Sequence, residues 1–311
     1  MSTNKNRKTK TNKKKKRRIR WDRIFLLLFA ILAILALLIF SLSFVFKMLF
    51  GKKTNEDVNS TPNTTEIISQ KQKKSNLSKE MQERVEAYLD ENPNLSEEEA
   101  IRCVKMNMDL EPYSETTIID DDSNPALLLN KFNALPEGYK PDDLVDIKYA
   151  CTQGVDYSCT TMEEVQLRKV AAKAYEEWVE AAEEEGIDIV AIAAYRTYEY
   201  QRDLYNYYEQ AEGKAYADAY YARPGQSEHN SGLAVDITFN GYNFNEIENY
   251  EGYDWILNNA HKFGWILRYP EEKVDITRYG YESWHFRYVG VDVATLCYEN
   301  NWCLEEYYGE Q

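Results

Sequence analysis

The sequence predicts an α+β fold, a small mostly antiparallel sheet with flanking helices, preceded by one transmembrane helix. Three observations predict it. Residues 24–46 are uncharged and, but for Ser41 and Ser43, apolar. Beyond residue 78, helical and strand periodicities are interspersed without the regular βαβ rhythm of a parallel sheet. The 311 residues suffice for an anchor, a linker and one domain of ordinary size.

The apolar segment Ile24–Phe46 has 23 residues and no charge. At ~1.5 Å per residue it reaches ~34 Å, enough for a hydrocarbon core of ~30 Å. Twelve Lys or Arg precede it, while only Lys47, Lys52 and Lys53 follow closely. The positive-inside rule makes residues 1–23 a cytoplasmic basic tail and puts the rest outside the cell. No A-x-A-like cleavage site follows the segment, which favours an uncleaved anchor over a signal peptide. Residues 47–77 form a flexible linker, rich in Asn, Ser, Thr and Lys beyond residue 54.

Residues 78–124 form a short helical N-terminal region. Met81, Val85 and Leu89 share one helical face, Asn92-Pro93-Asn94 breaks the chain, and Ser96 with Glu99 is a capping box for a second helix. A packing appendage of the main domain is favoured here over a partner-binding module. The main domain spans residues 125–311. Met162–Glu185 reads as a helix with Val170, Ala174, Trp178 and Ala181 on its buried stripe and Gly186 as its C-cap. Ile187–Ala194 reads as a buried strand. Thr197 is a good N-cap for a helix to about Tyr208. His229–Phe239 reads as a turn leading into a strand. Asp254–Phe263 is an expected helix ended by Gly264, and Trp265–Tyr269 and Ser283–Val289 are expected strands.

Charge excludes one class of function. Residues 1–53 hold fifteen Lys or Arg and one acid, Asp22. Of the chain's 37 basic and 52 acidic residues, 22 and 51 therefore lie beyond, a balance of −29. Such a domain has no footprint for nucleic acid, because phosphate contacts need clustered cations. The five cysteines, Cys103, Cys151, Cys159, Cys297 and Cys303, all follow the anchor, where disulfides persist. Cys151/Cys159 and Cys297/Cys303 are each near enough to close a small loop, leaving Cys103 over. No C-x-x-C pair offers a cysteine zinc site.

The chemistry gathers around two of the three histidines. His229 lies in Ser227-Glu228-His229-Asn230-Ser231-Gly232-Leu233-Ala234-Val235-Asp236, and His285 in Glu282-Ser283-Trp284-His285-Phe286. Two imidazoles and a carboxylate suit a catalytic Zn2+, which keeps a fourth position for water. The charge left on such an ion lowers the pKa of bound water from ~15.7 towards ~7. His229 and Asp236 are an odd seven residues apart, so a straight strand would turn them to opposite faces. Gly232 can supply the turn that reunites them. Glu282 is near enough to His285 to take a proton from the water without being a ligand. His261 lacks a neighbouring carboxylate and reads as a surface helix residue. Arg196 ends a buried strand, and its planar guanidinium pairs well with a carboxylate.

Ser227-x-His229-x-x-Gly232-x-Ala234-x-Asp236 matches every fixed position of the S-x-H-x-x-G-x-A-x-D motif of the zinc D-Ala-D-Ala carboxypeptidases of the VanY and LAS type. Glu282-x-x-His285, with Trp284, resembles that family's second motif. The resemblance extends over roughly 125–295, including Tyr195-Arg196-Thr197-Tyr198 with Gln201 and Phe263–Pro270, and departs at Ala194, where Gly is common. It implies that His229, Asp236 and His285 bind zinc and that Glu282 is general base and then acid. Arg196 would hold the substrate's terminal carboxylate or the developing oxyanion, with Gln201 and Ser227 lining the pocket. The substrate would be a peptidoglycan stem peptide losing its C-terminal D-alanine. L,D-cleavage of tetrapeptide stems stays open beside D,D-cleavage of pentapeptides. A non-catalytic zinc-containing cell-wall binding protein is disfavoured because both Glu282 and Arg196 are present. A non-haem iron oxygenase, which also uses two His and a carboxylate, is disfavoured by extracellular placement and the spare Glu282.

Overall fold

The computed structural model describes residues 77–151 and 165–311. The anticipated tail, transmembrane helix and most of the linker lie outside the described residues. No helix among the described residues is long and apolar enough to cross a membrane.

The chain begins with α1 (Lys79–Glu91) and α2 (Glu97–Lys105). Ser78 caps α1, and the capping box of Ser96 and Glu99 starts α2 as expected. Val85, Ala100 and Val104 are buried between the two helices, with Met81, Tyr88, Leu89 and Ile101 packed against them. Arg84 locks the pair by a two-pronged bond to Asp109, Nε and a terminal nitrogen donating at 2.8 and 2.7 Å. The short strands β1 (Thr117–Ile118) and β2 (Asn133–Ala134) pair in parallel. β3 (Leu144–Asp146) pairs antiparallel with β4 (Gln166–Arg168).

Helix α3 (Lys169–Glu183) is shorter at its start than the periodicity predicts, because residues 166–168 are spent on β4. Its buried face is also rotated from the expected stripe. Val170 is exposed and Ala181 half-buried, whereas Ala171, Ala172, Ala174, Tyr175, Trp178, Val179 and Ala182 are buried. Gly186 adopts φ +77° just beyond the helix, the left-handed geometry of a helix stop.

Then follow β5 (Ile189–Ala193), α4 (Tyr198–Glu212) capped by Thr197, α5 (Lys214–Tyr220) and β6 (Ala234–Phe239). Next come α6 (Tyr253–Ala260), β7 (Trp265–Tyr269), α7 (Val274–Thr277) and β8 (Glu282–Tyr288). Helices α8 (Val291–Asn300) and α9 (Leu304–Glu310) complete the chain. The central sheet has the order β5-β6-β8-β7 with every pairing antiparallel.

Side chains alternate across this sheet, and the two faces do different work. Val235, Ile237, Phe239, Phe286 and Trp265 join the apolar core with Trp178 and Tyr175 of α3. Trp178 lies 5.0 Å from Phe286 and 6.1 Å from Trp265, ring centroid to ring centroid. The residues between them, Asp236, His285, Arg287 and Arg268, point to the other face and are buried there.

Helices α1 and α2 pack on the main domain as an appendage. Met106 lies over Gly309 of α9, where an added Cβ would sit 3.1 Å from Met106 Cγ, and Arg102 pairs with Glu310 at 3.3 Å.

The cysteines correct one expectation. Cys151 is disulfide-bonded, and its expected partner Cys159 lies outside the described residues. Cys297 and Cys303 do not pair with each other: both are free thiols and buried, as Cys103 is free. Cys297 belongs to the apolar cluster beneath α8. Cys303 is instead the N-cap of α9, its N–H donating to Glu306 at 2.8 Å.

Candidate active site

Three departures from regular backbone assemble the site. The first lies between Ser227 and Ala234, where Glu228–Ser231 form a 3-10 turn and Gly232 adopts φ +68°. A Cβ at Gly232 would stand 3.0 Å from Leu144 and 3.1 Å from the Arg168 side chain, so conformation and space both require glycine. This turn brings His229 back over Asp236. The second is a bulge between β5 and β6. Ala191 pairs with Ile237, but Ala193 pairs with Asp236, so β5 carries an extra residue and its end turns Arg196 towards the site. The third is in β8. Leu267 pairs with Phe286 and Tyr269 with Glu282, so two steps on β7 match four on β8. Regular pairing is interrupted there, and Glu282 and His285, an odd three apart, both line the same cleft.

Asp236 and His285 are direct cross-strand partners. The Oδ1 of Asp236 lies 2.9 Å from His285 Nδ1 and 3.3 Å from His229 Nε2. One ligand atom from each of the three residues falls within 4.8 Å of the others, and all three residues are buried. The remaining ring nitrogens are already engaged. His229 Nδ1 is 2.6 Å from the Ala194 carbonyl, and His285 Nε2 is 3.2 Å from Glu228 Oε2. These contacts orient both rings with a nitrogen towards Asp236. Two imidazole nitrogens and one carboxylate, with both rings held from behind, fit zinc better than an oxygen-seeking cation.

Glu282 stands 3.8 Å from His285 Nδ1 with 17% of its side chain exposed to the cleft. Burial pushes its carboxyl up to about 7, helped by Asp236 and opposed by His285 and Arg196. For His285, burial favours the neutral ring, but hydrogen bonds with Asp236 and Glu228 outweigh it and carry the pKa to about 9. Burial and the neighbouring Arg196 bring His229 down to about 4. Burial opposes ionisation of Asp236, yet His229, His285 and Arg196 together hold it well below the usual carboxylate range.

Arg196 donates from a terminal nitrogen to Asp236 Oδ2 at 2.9 Å, while its buried Nε has no partner among the described residues. Gln201 donates to the Ala222 carbonyl at 2.8 Å, and its buried Oε1 likewise has no partner among them. Both residues line the same cleft of about 480 Å³ as Ser227, His229, Asp236, Glu282 and His285. An unpaired donor and an unpaired acceptor there are what a peptide terminus would satisfy. The cleft's outer wall is aromatic, with Tyr208, Tyr216, Tyr220 and Trp284 among its residues. His261 lies elsewhere, stacked on Tyr298 at 3.9 Å.

Residues 164–291 match the VanY family model, described as D-alanyl-D-alanine carboxypeptidase. The chain is 36% identical over 206 residues to YodJ of Bacillus subtilis (strain 168), covering 64% of this chain and 72% of YodJ. It is 34% identical over 190 residues to the bifunctional D-Ala-D-Ala dipeptidase and D-Ala-D-Ala carboxypeptidase VanXYC of Enterococcus gallinarum, covering 60% of this chain and 94% of that enzyme. This chain belongs to the VanY family. Among solved structures, the LD-carboxypeptidase LdcB superposes with a TM-score of 0.56 at 35% identity, covering 64% of this chain and 96% of LdcB. The described part of this VanY-family chain has the α+β fold of the zinc LAS-type peptidases, and the chain is a zinc-dependent carboxypeptidase.

One group in this VanY-family site escaped the sequence reading. Glu228 occupies a variable position of the motif, yet it is 1% exposed and accepts from Arg268 and Arg287 at 2.7 Å each. The two guanidiniums outweigh the cost of burial and keep it ionised far below the usual range. The available signal was Arg268, a charge within the otherwise apolar run Trp265–Tyr269, and Arg287, a charge between Phe286 and Tyr288.

Proposed function

We propose that this chain is a membrane-anchored, extracellular enzyme that removes the C-terminal D-alanine from peptidoglycan stem peptides. The observation that carries the reading is the convergence of His229, Asp236 and His285 beneath Glu282, in a cleft where Arg196 Nε and Gln201 Oε1 await partners. His229 Nε2, Asp236 Oδ1 and His285 Nδ1 would hold the zinc. When bound, zinc supplies a Lewis-acid centre that acidifies water and polarises the scissile carbonyl.

The other steps belong to side chains. Arg196 binds the terminal carboxylate, a charge-assisted contact that places the last peptide bond over the metal site. Ser227 and Gln201 line the pocket around that terminal residue. Glu282 takes the proton of the attacking water and returns it to the departing amine nitrogen. A carboxyl poised near neutrality is suited to both halves of that transfer. The 23-residue apolar segment Ile24–Phe46 with its basic flank supports a single-pass anchor with a cytoplasmic N-terminus. On this reading residues 1–23, 24–46, 47–77, 78–124 and 125–311 are tail, anchor, linker, helical region and catalytic domain.

D,D-cleavage is favoured by the family description and the Enterococcus gallinarum relative, and L,D-cleavage by the likeness to LdcB. Synthetic pentapeptide and tetrapeptide stems, incubated with the protein and zinc or a chelator, separate the two by mass spectrometry. Zinc-dependent loss of one D-alanine from the pentapeptide supports D,D-cleavage, and loss from the tetrapeptide supports L,D-cleavage. Intact stems with zinc bound at one per chain would refute the enzymatic reading.

A further inference from the structure

Behind the metal site lies a chain of buried charges that reaches the C-terminal helix. Glu228 Oε1 accepts from Arg268 Nε and an Arg287 terminal nitrogen, both at 2.7 Å, which leaves Oε2 turned to His285 Nε2. The two arginines are held differently. Arg287 is tied to backbone, donating to the Pro125 and Leu127 carbonyls at 2.9 and 2.8 Å. Arg268 is tied to a side chain on α9: its two terminal nitrogens donate to Glu305 Oε2 and Oε1 at 2.8 and 2.7 Å. Among the described residues Arg268 also reaches the Leu129 carbonyl, at 3.4 Å, and its guanidinium carbon lies 4.8 Å from the Tyr269 ring centroid.

We propose that Glu305 is a positioning residue for His285, acting through Arg268 and Glu228. The Glu305 carboxylate grips both terminal nitrogens and so fixes the plane of the Arg268 guanidinium, which aims Nε at Glu228. Glu228 thus presents one oxygen to His285 Nε2 and keeps Nδ1 directed at the metal position. Glu228, Arg268, Arg287 and Glu305 are all at most 1% exposed, so water does not replace a missing partner. The four charges cancel in pairs. Removing one acid leaves an unbalanced cation beside a metal-binding imidazole. Helix α9 is itself fixed, by Lys273 to Glu306 at 2.8 Å and by the packing of Met106 over Gly309. The metal site is therefore supported by an element remote from both sequence motifs.

The inference rests on His285 being a metal ligand, and the test separates the two ideas. Glu305→Gln in the full chain preserves shape and removes one charge. Partners behind a metal-binding histidine typically govern 10–100-fold in affinity. Glu305 stands two side chains further back, so zinc affinity, read by competition with a chromophoric chelator, is expected to fall about tenfold. The visible d–d bands of cobalt-loaded protein should shift as the His285 ring is re-aimed, a change that lost packing elsewhere would not cause. Glu305→Asp keeps the charge but shortens the grip, and should lie between; it carries the same test if Glu305→Gln does not fold. Wild-type zinc affinity and unaltered cobalt bands in a folded variant, with His285→Ala abolishing binding, would overturn the positioning role alone. Undiminished zinc binding by His285→Ala would overturn both the role and the metal site.

Discussion

Replacing Glu282 by Gln tests the mechanism most directly. The substitution keeps size and removes the group that accepts the water's proton. General base catalysis contributes about 10²–10⁴ in rate, equivalent to roughly 3–5 kcal/mol of barrier at ~1.36 kcal/mol per decade. Glu282 sits at the cleft with 17% of its side chain exposed and is outside the three-residue metal cluster. Zinc affinity should therefore stay within about threefold of wild type, and KM should change little, because the lost interaction belongs to the transition state. The assay is D-alanine release from the stem that wild type cleaves, beside a zinc titration of the same sample. A variant retaining more than about a tenth of wild-type turnover would remove Glu282 from the role of base. A variant that loses zinc together with activity would make Glu282 a ligand instead.

The same carboxyl predicts a pH effect on the metal-free protein. Its pKa rises from 4.5 to about 7 on folding, so ionised Glu282 costs stability as pH rises from 4.5 to 7, and in full above 7. Glu282→Gln should raise the melting temperature of chelated protein at pH 8 and leave it unchanged near pH 4; an equal gain at both values would refute the assignment of the cost to ionisation. Arg196→Lys should lower kcat/KM by ~10-fold or more on stems with a free carboxylate, while the discrimination against C-terminal amides narrows, since a point charge replaces a planar fork. Preserved discrimination would place carboxylate recognition elsewhere. Gly232→Ala forces a Cβ to 3.0 Å from Leu144 at φ +68°, at a cost of ~1–3 kcal/mol. It should lower both melting temperature and zinc affinity, and wild-type zinc binding would show that the turn does not govern the His229–Asp236 geometry.

The elements with a strong local signal were legible. Thr197 as a cap, Gly264 after a helix and Trp265–Tyr269 as a strand depend on short-range chemistry. So does the candidate metal cluster, because His229, Asp236 and His285 belong to short, richly patterned strings. Long-range effects were not legible. The face of α3 was misread because Val170 lies in its first turn, beside β4, and periodicity alone does not reveal what covers a turn. Cys297 and Cys303 looked like a local pair, yet one faces an apolar cluster and the other caps a helix. Glu228 gains its importance from Arg268 and Arg287, 40 and 59 residues away, and Glu305 from a contact 37 residues from Arg268.

The register slip in β8 sets what kind of change the site tolerates. Glu282 and His285 meet because a certain number of residues lies between them, more than because of which residues those are. Exchanging Ser283 alters the packing of a spacer, and exchanging Trp284 alters the cleft wall without moving either group. Deleting one of them inverts the side on which the carboxylate emerges, since side chains alternate at every step. The catalytic arrangement is thus buffered against substitution and brittle towards changes of length. A library that varies the chemistry of this strand should randomise identities at fixed length, and a single-residue insertion or deletion within it should abolish catalysis however well the variant folds.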